Sequence, residues 1–456
     1  MPQRFRVIDR DTPMLMPPDL RDWVGEDDLV HFVIEAVDRL PLSSFHVNYK
    51  GTGSKQLPPH TMLALLVFCY SYGVFSSRRI ERATHRDVAV RYLCGDTQID
   101  HDTICTFRRK NRAAIEAAFV DILELARELK LLKLGAVSLD GTHIKANASK
   151  DKNITYARAQ ELRAQLKQDV QQLLLQAEQA DQEDSDPQAL PKAIAKREKL
   201  LSKIDAACAE LEKRAQERAA REQAEYERKL AARKERGNKG PESKAPSAEP
   251  KADEQVNLTD ADARLMRKNR REGYTESYNA QAVVDADGGS HLIVGQRVSP
   301  SPSDSHELEP DLAAIPESLG TPEAVLADCG YAKKEVIQRF EGDPRLPELY
   351  VSVHREDAHS EREYDYRPPE RRLPAKEPKD PVLIAMRDKL RTEEGKTLYR
   401  KRGASVETVF GTIKGALGFR QFHLRGREKV SGEWTLVCLA YNVKRLFNLK
   451  HVAQQA

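Results

Sequence analysis

The stretch LGAVSLDGTHIKANAS, residues 134–149, decides the fold. Small and β-branched residues alternate through Ala136–Leu139, and an acid and a glycine, Asp140 and Gly141, come next. That pattern predicts a strand ending in a turn, with Asp140 delivered at the strand's end. A second stretch repeats it. AVLADCGYAKKEVIQRFE, residues 324–341, is a small-residue strand with Asp328 at its end and a helix behind it. LYVSVHRE, residues 349–356, is a further strand. Between the two acids lies YNAQAVVDADGGSHLIVGQRV, residues 278–298, two β runs joined by Asp287-Gly288-Gly289, a strong hairpin signal. Strand ends hold side chains in the cleft above a sheet, where α/β proteins bind ligands. Each acid taken alone also reads as an ordinary cap or turn residue.

What separates the strands is different in texture. Residues 155–236 are rich in Ala, Gln, Glu, Lys and Arg, with breaks near Asp186-Pro187 and before Pro191. Leu162, Leu166, Val170 and Leu173-Leu174 recur at helical steps, as do Ile194, Leu201, Ile204, Ala207 and Leu211, which predicts two amphipathic helices folded as an antiparallel hairpin. Its charges nearly balance, so it is a solvated scaffold and not a phosphate clamp. Residues 237–256 lack large apolar side chains and read as a disordered linker. After the hairpin come a short helix near Glu307–Ala314, a polar loop over Tyr364–Pro381, and two closing helices near Ala404–Leu417 and Gly432–Asn448. The sum is a mixed α/β domain with an insertion, split in sequence but whole in space: residues 134–149 and 257–456, interrupted by 150–256.

The first closing helix carries a third acid. Val406, Phe410, Ile413 and Leu417 make an apolar stripe, and Glu407, Gly411, Lys414 and Gly418 share the adjoining one. Glu407 and Lys414 are two turns apart, a poor separation for a salt bridge, and the glycines leave room for another backbone. A solvated face is the plainer alternative.

Residues 1–130 form an all-α N-terminal domain. Ser76 or Ser77 can cap a helix with Glu81 placed for a capping contact and Ile80, Ala83 and Val88 spaced for burial. Asp100 can cap the next, HDTICTFRRKN, with Ile104, Phe107 and Asn111 on one face. Short helices joined by tight turns and rich in arginine resemble a helix-turn-helix module, although a plain helical bundle gives the same pattern.

Composition sets the outer limits. The 456 residues are 40% hydrophobic and 32% charged, which fits two or three soluble units. No run of some eighteen apolar residues offers a membrane span, and MPQRFRVIDRDTP is no secretory signal, so a cytoplasmic protein is expected. Cys69, Cys94, Cys105, Cys208, Cys329 and Cys438 are scattered with no CxxC pair, which predicts neither a zinc site nor a disulfide framework but mostly buried thiols. The net charge of +3 hides basic clusters at Ser76–Arg91, Arg108–Arg112 and Tyr399–Lys450. Such clusters suit a nucleic-acid partner, and each also fits a solvated helix face.

Three acids and nearby bases suit phosphodiester chemistry, in which two Mg²⁺ ions need hard oxygen ligands and lysines or arginines hold the phosphates. The chain closely resembles insertion-sequence transposases of the DDE type, whose RNase H-like catalytic domain is split by an insertion. The matching pieces are SSRRIERATHRDVAVRYLCG, DHDTICTFRR, SLDGTHIKANAS, NLTDADARLM, SYNAQAVVD, LADCGY and YRKRGASVETVFGTIKGALGFRQFHLRG, in the family's order over nearly the whole chain. The resemblance implies an RNase H-like mixed sheet with a large helical insertion, preceded by a helix-turn-helix-like domain. It implies that Asp140, Asp328 and Glu407 are the metal ligands for two Mg²⁺ ions, with Mn²⁺ able to substitute. Tyr399, Arg402, Glu407 and Lys414 fit the family's C-terminal motif, with the gap between Arg402 and Glu407 one residue longer than usual. The Cys-rich stretch of many relatives is missing, so no zinc is expected.

By the same resemblance the element end is hydrolysed and the freed 3′ hydroxyl attacks target DNA without a covalent protein intermediate. Lys414 and Arg402 are then phosphate contacts, with Tyr399 and Lys145 beside them on the DNA. Charge alone nominates Arg78, Arg79, Arg82, Arg108 and Arg109 for the terminal inverted repeats. The partner is double-stranded DNA, at both element ends and target, and pairing two ends calls for a homodimer in the synaptic complex. Two alternatives stay open: an RNase H-like metal-dependent nuclease, and a catalytically inactive DNA-binding descendant.

Overall fold

A computed structural model describes residues 19–47, 56–182, 189–236, 245–267, 272–353 and 378–455. The breaks at Asp186-Pro187, the first part of the expected linker (237–244) and the loop over residues 364–377 lie outside the described residues.

The helices α1 (Leu29–Asp38), α2 (Pro59–Ser71), α3 (Ser77–Arg86), α4 (Val88–Leu93), α5 (His101–Lys110) and α6 (Arg112–Glu128) come first. Asp100 caps α5 as expected, accepting from the Thr103 N–H. The capping box expected at α3 does not form. Ser76 takes the cap position without a side-chain bond, Ser77 Oγ accepts from Arg108 instead, and Glu81 reaches across to His101 Nδ1 at 2.9 Å, tying α3 to α5. Ile80 is buried as its spacing predicts, whereas Val88 opens α4 with its side chain exposed. The apolar run from Met62 to Tyr70 on α2 is buried all round, as a helix without a polar face must be.

The reason is the last helix. Strand β1 (Ala136–Lys145) is followed by β2 (Asn153–Thr155), the helices α7 (Tyr156–Gln182) and α8 (Ala189–Arg236), then β3 (Gln255–Asn257), β4 (Arg264–Met266), β5 (Thr275–Asp285) and β6 (Ile293–Ser299). Next come α9 (Leu308–Leu312), β7 (Ala324–Ala327), α10 (Lys334–Gly342), β8 (Glu348–Val351), α11 (Pro381–Arg391), α12 (Glu393–Arg402), α13 (Thr408–Gly411) and α14 (Arg427–Gln455). Helix α14 lies against β6 on one side and against α1, α2 and α6 on the other. Asn442 on α14 bonds both backbone groups of Ile293, and Trp434 donates to the Gln281 carbonyl at 3.0 Å. N-terminal helices and sheet therefore share one continuous core.

The sheet runs β6-β5-β1-β7-β8, with β4 added along the start of β5. Pairings from β6 to β1 are antiparallel and those from β1 to β8 parallel. The expected hairpin joins β5 to β6, and Gly288 and Gly289 both take the positive φ that glycine adopts freely. Its Asp287 also reaches back to accept from the Ala136 N–H at 2.6 Å, fixing the start of β1.

Helices α7 and α8 form the expected antiparallel pair, crossed by Arg163–Asp205 and Asp169–Arg197 ion pairs around a small core of Leu166, Ile204, Ala207 and Leu211. The disordered-linker expectation fails at its far end. Gln255 and Val256 belong to β3, which pairs with β2 and closes the base of the hairpin. Glu254 accepts two hydrogen bonds from Arg218. Backbone pairing supplies the order that the apolar-poor sequence could not advertise.

Candidate active site

Asp140 sits within β1 and not at its end. The strand continues to Lys145 because β5 keeps pairing with it as far as Lys145↔Ser277. What stops near Asp140 is the other partner. The parallel pairing with β7 ends in register at Ser138↔Leu326, so Asp140 on β1 and Asp328 just past the end of β7 each stand two residues beyond it. Neighbouring strands are about 4.8 Å apart, which brings together two acids separated by the whole insertion. Asp328 closes a tight turn by accepting from the Gly330 N–H at 2.7 Å. It is both a turn residue and a neighbour of Asp140.

Glu407 arrives on a helix whose register is not purely α. Gly403–Glu407 and Thr412–Ala416 are π-helical, on either side of α13. A π-turn takes up one residue more than an α-turn, and the first one falls in the Arg402–Glu407 interval, which is one residue longer than the usual motif. Arg402 is thereby kept against Glu407, donating to its Oε1 at 3.1 Å, while its other Nη donates to Asp140 Oδ2 at 3.3 Å. The helix is held to β1 by Ser405 Oγ on Ser138 Oγ at 3.0 Å. Among the described residues no atom comes within 4 Å of the place a Cβ would take on Gly411 or Gly418, so no other described backbone uses the room these glycines leave; Gly418 instead takes the positive φ that ends the helix.

The remaining candidates divide. Tyr399 donates to the Ala327 carbonyl, one residue before Asp328, and burial pushes its phenol up to about 12. Lys414 Nζ donates to Thr142 Oγ1 and to the His143 carbonyl on β1. Lys145 is exposed, five residues past Asp140, and strand alternation points it to the other face; it lines a separate cleft with Lys150, Tyr274 and Gln421. Arg78, Arg79, Arg82 and Arg109 are exposed on α3 and α5. Arg108 is not like them. Its guanidinium donates to Tyr70 Oη, the Phe75 carbonyl and Ser77 Oγ, so it braces α5 on α2 and α3. Periodicity had set it on a non-core face without revealing those partners.

Sequence reasoning missed a fourth acid. Asp304, in the loop after β6, accepts from Asn279 Nδ2 and Gln281 Nε2, both at 2.7 Å, and Gln281 in turn accepts from Tyr331. No sequence signal marks it, because Asn279 and Gln281 lie on a strand, TESYNAQAVVD, in which Glu276, Ser277 and Asp285 are buried polar residues as well.

Electrostatics binds the group together. Burial pushes the Asp140 carboxyl up to about 7; Arg402 opposes this, and the charges of Asp328 and Asp304 add to it. A carboxyl raised in this way loses less by folding when it is protonated. In chelator, stability should therefore fall as pH rises from the ordinary carboxylate range to about 7. Asp140→Asn should flatten that slope, and urea melts at a series of pH values read it directly. An unchanged slope would contradict the assignment. Among the described residues no three His, Cys, Asp or Glu side chains converge on an ion as they stand; the Arg402 guanidinium lies in the gap between Asp140 and Glu407. The donor set nevertheless fits a hard divalent cation, being carboxylate oxygens crowded until one resists ionisation.

Two family models match the chain: the transposase DDE domain over residues 245–443 and a transposase domain, DUF772, over residues 18–110. The chain belongs to the DDE transposases. The fold is accordingly RNase H-like, and the protein is an insertion-sequence transposase, an enzyme that acts on DNA and depends on metal. The first match spans Asp328 and Glu407 but begins after Asp140, which lies in neither matched region. No curated protein and no solved structure matches the transposase significantly. Among its described residues no helix is long and apolar enough to cross a membrane.

Proposed function

We propose that Asp140, Asp328 and Glu407 hold two Mg²⁺ ions, replaceable by Mn²⁺, at which the transposase cuts its element's ends and joins them to target DNA. The observation that supports this is the register of β1 and β7, which aligns Asp140 with Asp328, together with the Arg402 bridge from Asp140 to Glu407. Bound there, divalent ions supply charge neutralisation and Lewis acidity to the scissile phosphate. The chain's own residues do the rest. Arg402 and Lys414 hold phosphate oxygens from the helix side, with Tyr399 setting the helix over Asp328 and Lys145 contacting DNA further along β1.

Residues 1–130 act as the DNA-binding domain, and Arg78, Arg79, Arg82 and Arg109 contact the terminal inverted repeats. Residues 134–149 and 257–456 form the catalytic domain and residues 150–256 the insertion. Two copies pair the ends in a cytoplasmic, nucleoid-associated synaptic complex.

An assay with the element's own ends and a supercoiled target tests the reading. Joined product should form with Mg²⁺ or Mn²⁺, vanish in chelator, and return when the ion is restored. Cleavage without joining would make the protein a nuclease, and end binding without either would make it an inactive descendant.

A further inference from the structure

The geometry points to Asp304 as a fourth acid of the cation site, held in place by Asn279 and Gln281 and offering its second oxygen beside Asp328. This rests on the reading that Asp140 and Asp328 hold metal, and it adds a residue from a loop that reading did not use.

Two glycines make the approach possible. A Cβ on Gly141, the residue after Asp140, would fall 2.5 Å from Asp304 Oδ1 and 2.6 Å from Asn279 Oδ1. Both are far inside contact distance, so only glycine lets this loop come so close to β1. A Cβ on Gly330 would fall 2.8 Å from Asp328 Oδ1 and 3.6 Å from Asp304 Oδ2. The two carboxylates thus face each other across the space of one missing methyl group. Asp304 Oδ1 takes both amide donors, which fixes the carboxylate and turns Oδ2 toward Gly330.

A cluster of acids is not a site on its own. The independent observation is Asn279, whose side chain is wholly buried and whose Oδ1 has no hydrogen-bond partner among the described residues. Leaving a buried amide oxygen unpaired costs about 1–3 kcal/mol. Turning the amide over would not relieve it, because that would set oxygen against the Asp304 carboxylate. The orphan oxygen lies beside Gly141, among the acids, where a cation or its hydration water would satisfy it. The raised Asp140 and Tyr331 groups both feel the Asp304 charge, so Asp140, Asp328 and Asp304 share one electrostatic environment.

The plain alternative is that Asp304 merely anchors its loop. Asp304→Asn separates the two, because asparagine keeps an oxygen for both amide donors and removes only the charge. Manganese binding by the full chain, followed through the free-ion EPR signal, should weaken at least about tenfold in Asp304→Asn, the loss typical of a disturbed metal surround. The melting temperature in chelator should hold or rise, since a crowded negative charge is gone. Manganese binding unchanged in Asp304→Asn but weakened in Asp140→Asn would overturn the inference alone. Unchanged binding in Asp140→Asn would sink the underlying site reading as well. A lower melting temperature in chelator would show that Asp304 serves the fold, and the proposal would fall.

Discussion

Asp140→Asn and Asp328→Ala are each expected to abolish cleavage and joining while leaving end binding within a few-fold of wild type. The magnitude follows from what the acids are for. Cation charge stabilisation at a phosphoryl group is worth several kcal/mol, and each 1.36 kcal/mol is a factor of ten, so the loss should reach roughly a thousandfold or more. Asparagine at position 140 keeps the shape of the side chain and an oxygen for the Gly141 N–H, 2.8 Å away in the wild type. Its effect is therefore one of charge. Alanine at position 328 also removes the cap on Gly330, at a cost of about 1 kcal/mol, so a thermal melt must accompany that assay. DNA affinity comes from basic groups on phosphates, and deleting an acid does not weaken it. Cleavage retained by Asp328→Ala would remove Asp328 from the site. Joining retained by Asp140→Asn would do the same for Asp140, the acid that neither family match includes.

How far the sequence reached differs from element to element, for physical reasons. The run Val325-Leu326-Ala327 before Asp328 was legible because a strand buried on both faces must be continuously apolar, and Asp287-Gly288-Gly289 because only glycine takes those turn angles without strain. β1 was read too short. Gly141 looked like a turn, whereas its lack of a side chain answers to Gln281, Asn279 and Asp304 crowding the strand from distant positions. Such tertiary demands leave no local trace. Asp304 was invisible for the same reason: inside SPSPSDSHE it is one polar loop residue among many. The bracing bonds of Arg108 were not legible because helical periodicity reports which face a residue is on, not whether a tyrosine waits there. The spacing of Arg402 looked out of step because a count along the chain assumes α geometry throughout, and the π-turn at Gly403–Glu407 breaks that assumption.

Arg402 carries the second large effect. Its guanidinium is almost fully buried, touches Asp140 and Glu407, and is the strongest influence holding the Asp140 carboxyl down. In the absence of metal it is a positive charge set among Asp140, Asp328 and Glu407. Arg402→Ala should therefore destabilise the metal-free protein by about 3 kcal/mol, the lower part of the range for removing one partner of a buried pair; the exposed Glu407 contributes little to it. The loss should be greatest above pH 7, where Asp140 must ionise without its partner, and should shrink toward pH 4, where a protonated carboxyl has no need of one. A divalent cation at the same acids offers a substitute charge. Added Mn²⁺ should thus restore more stability to Arg402→Ala than it adds to wild type, in which the ion must displace the guanidinium or share the acids with it. Urea unfolding at pH 5 and pH 8, with Mn²⁺ and with chelator, reads all of this in one set of curves. If the deficit is equal at both pH values and Mn²⁺ rescues wild type and variant alike, Arg402 is a packing residue of the helix and not the counter-charge of the acids.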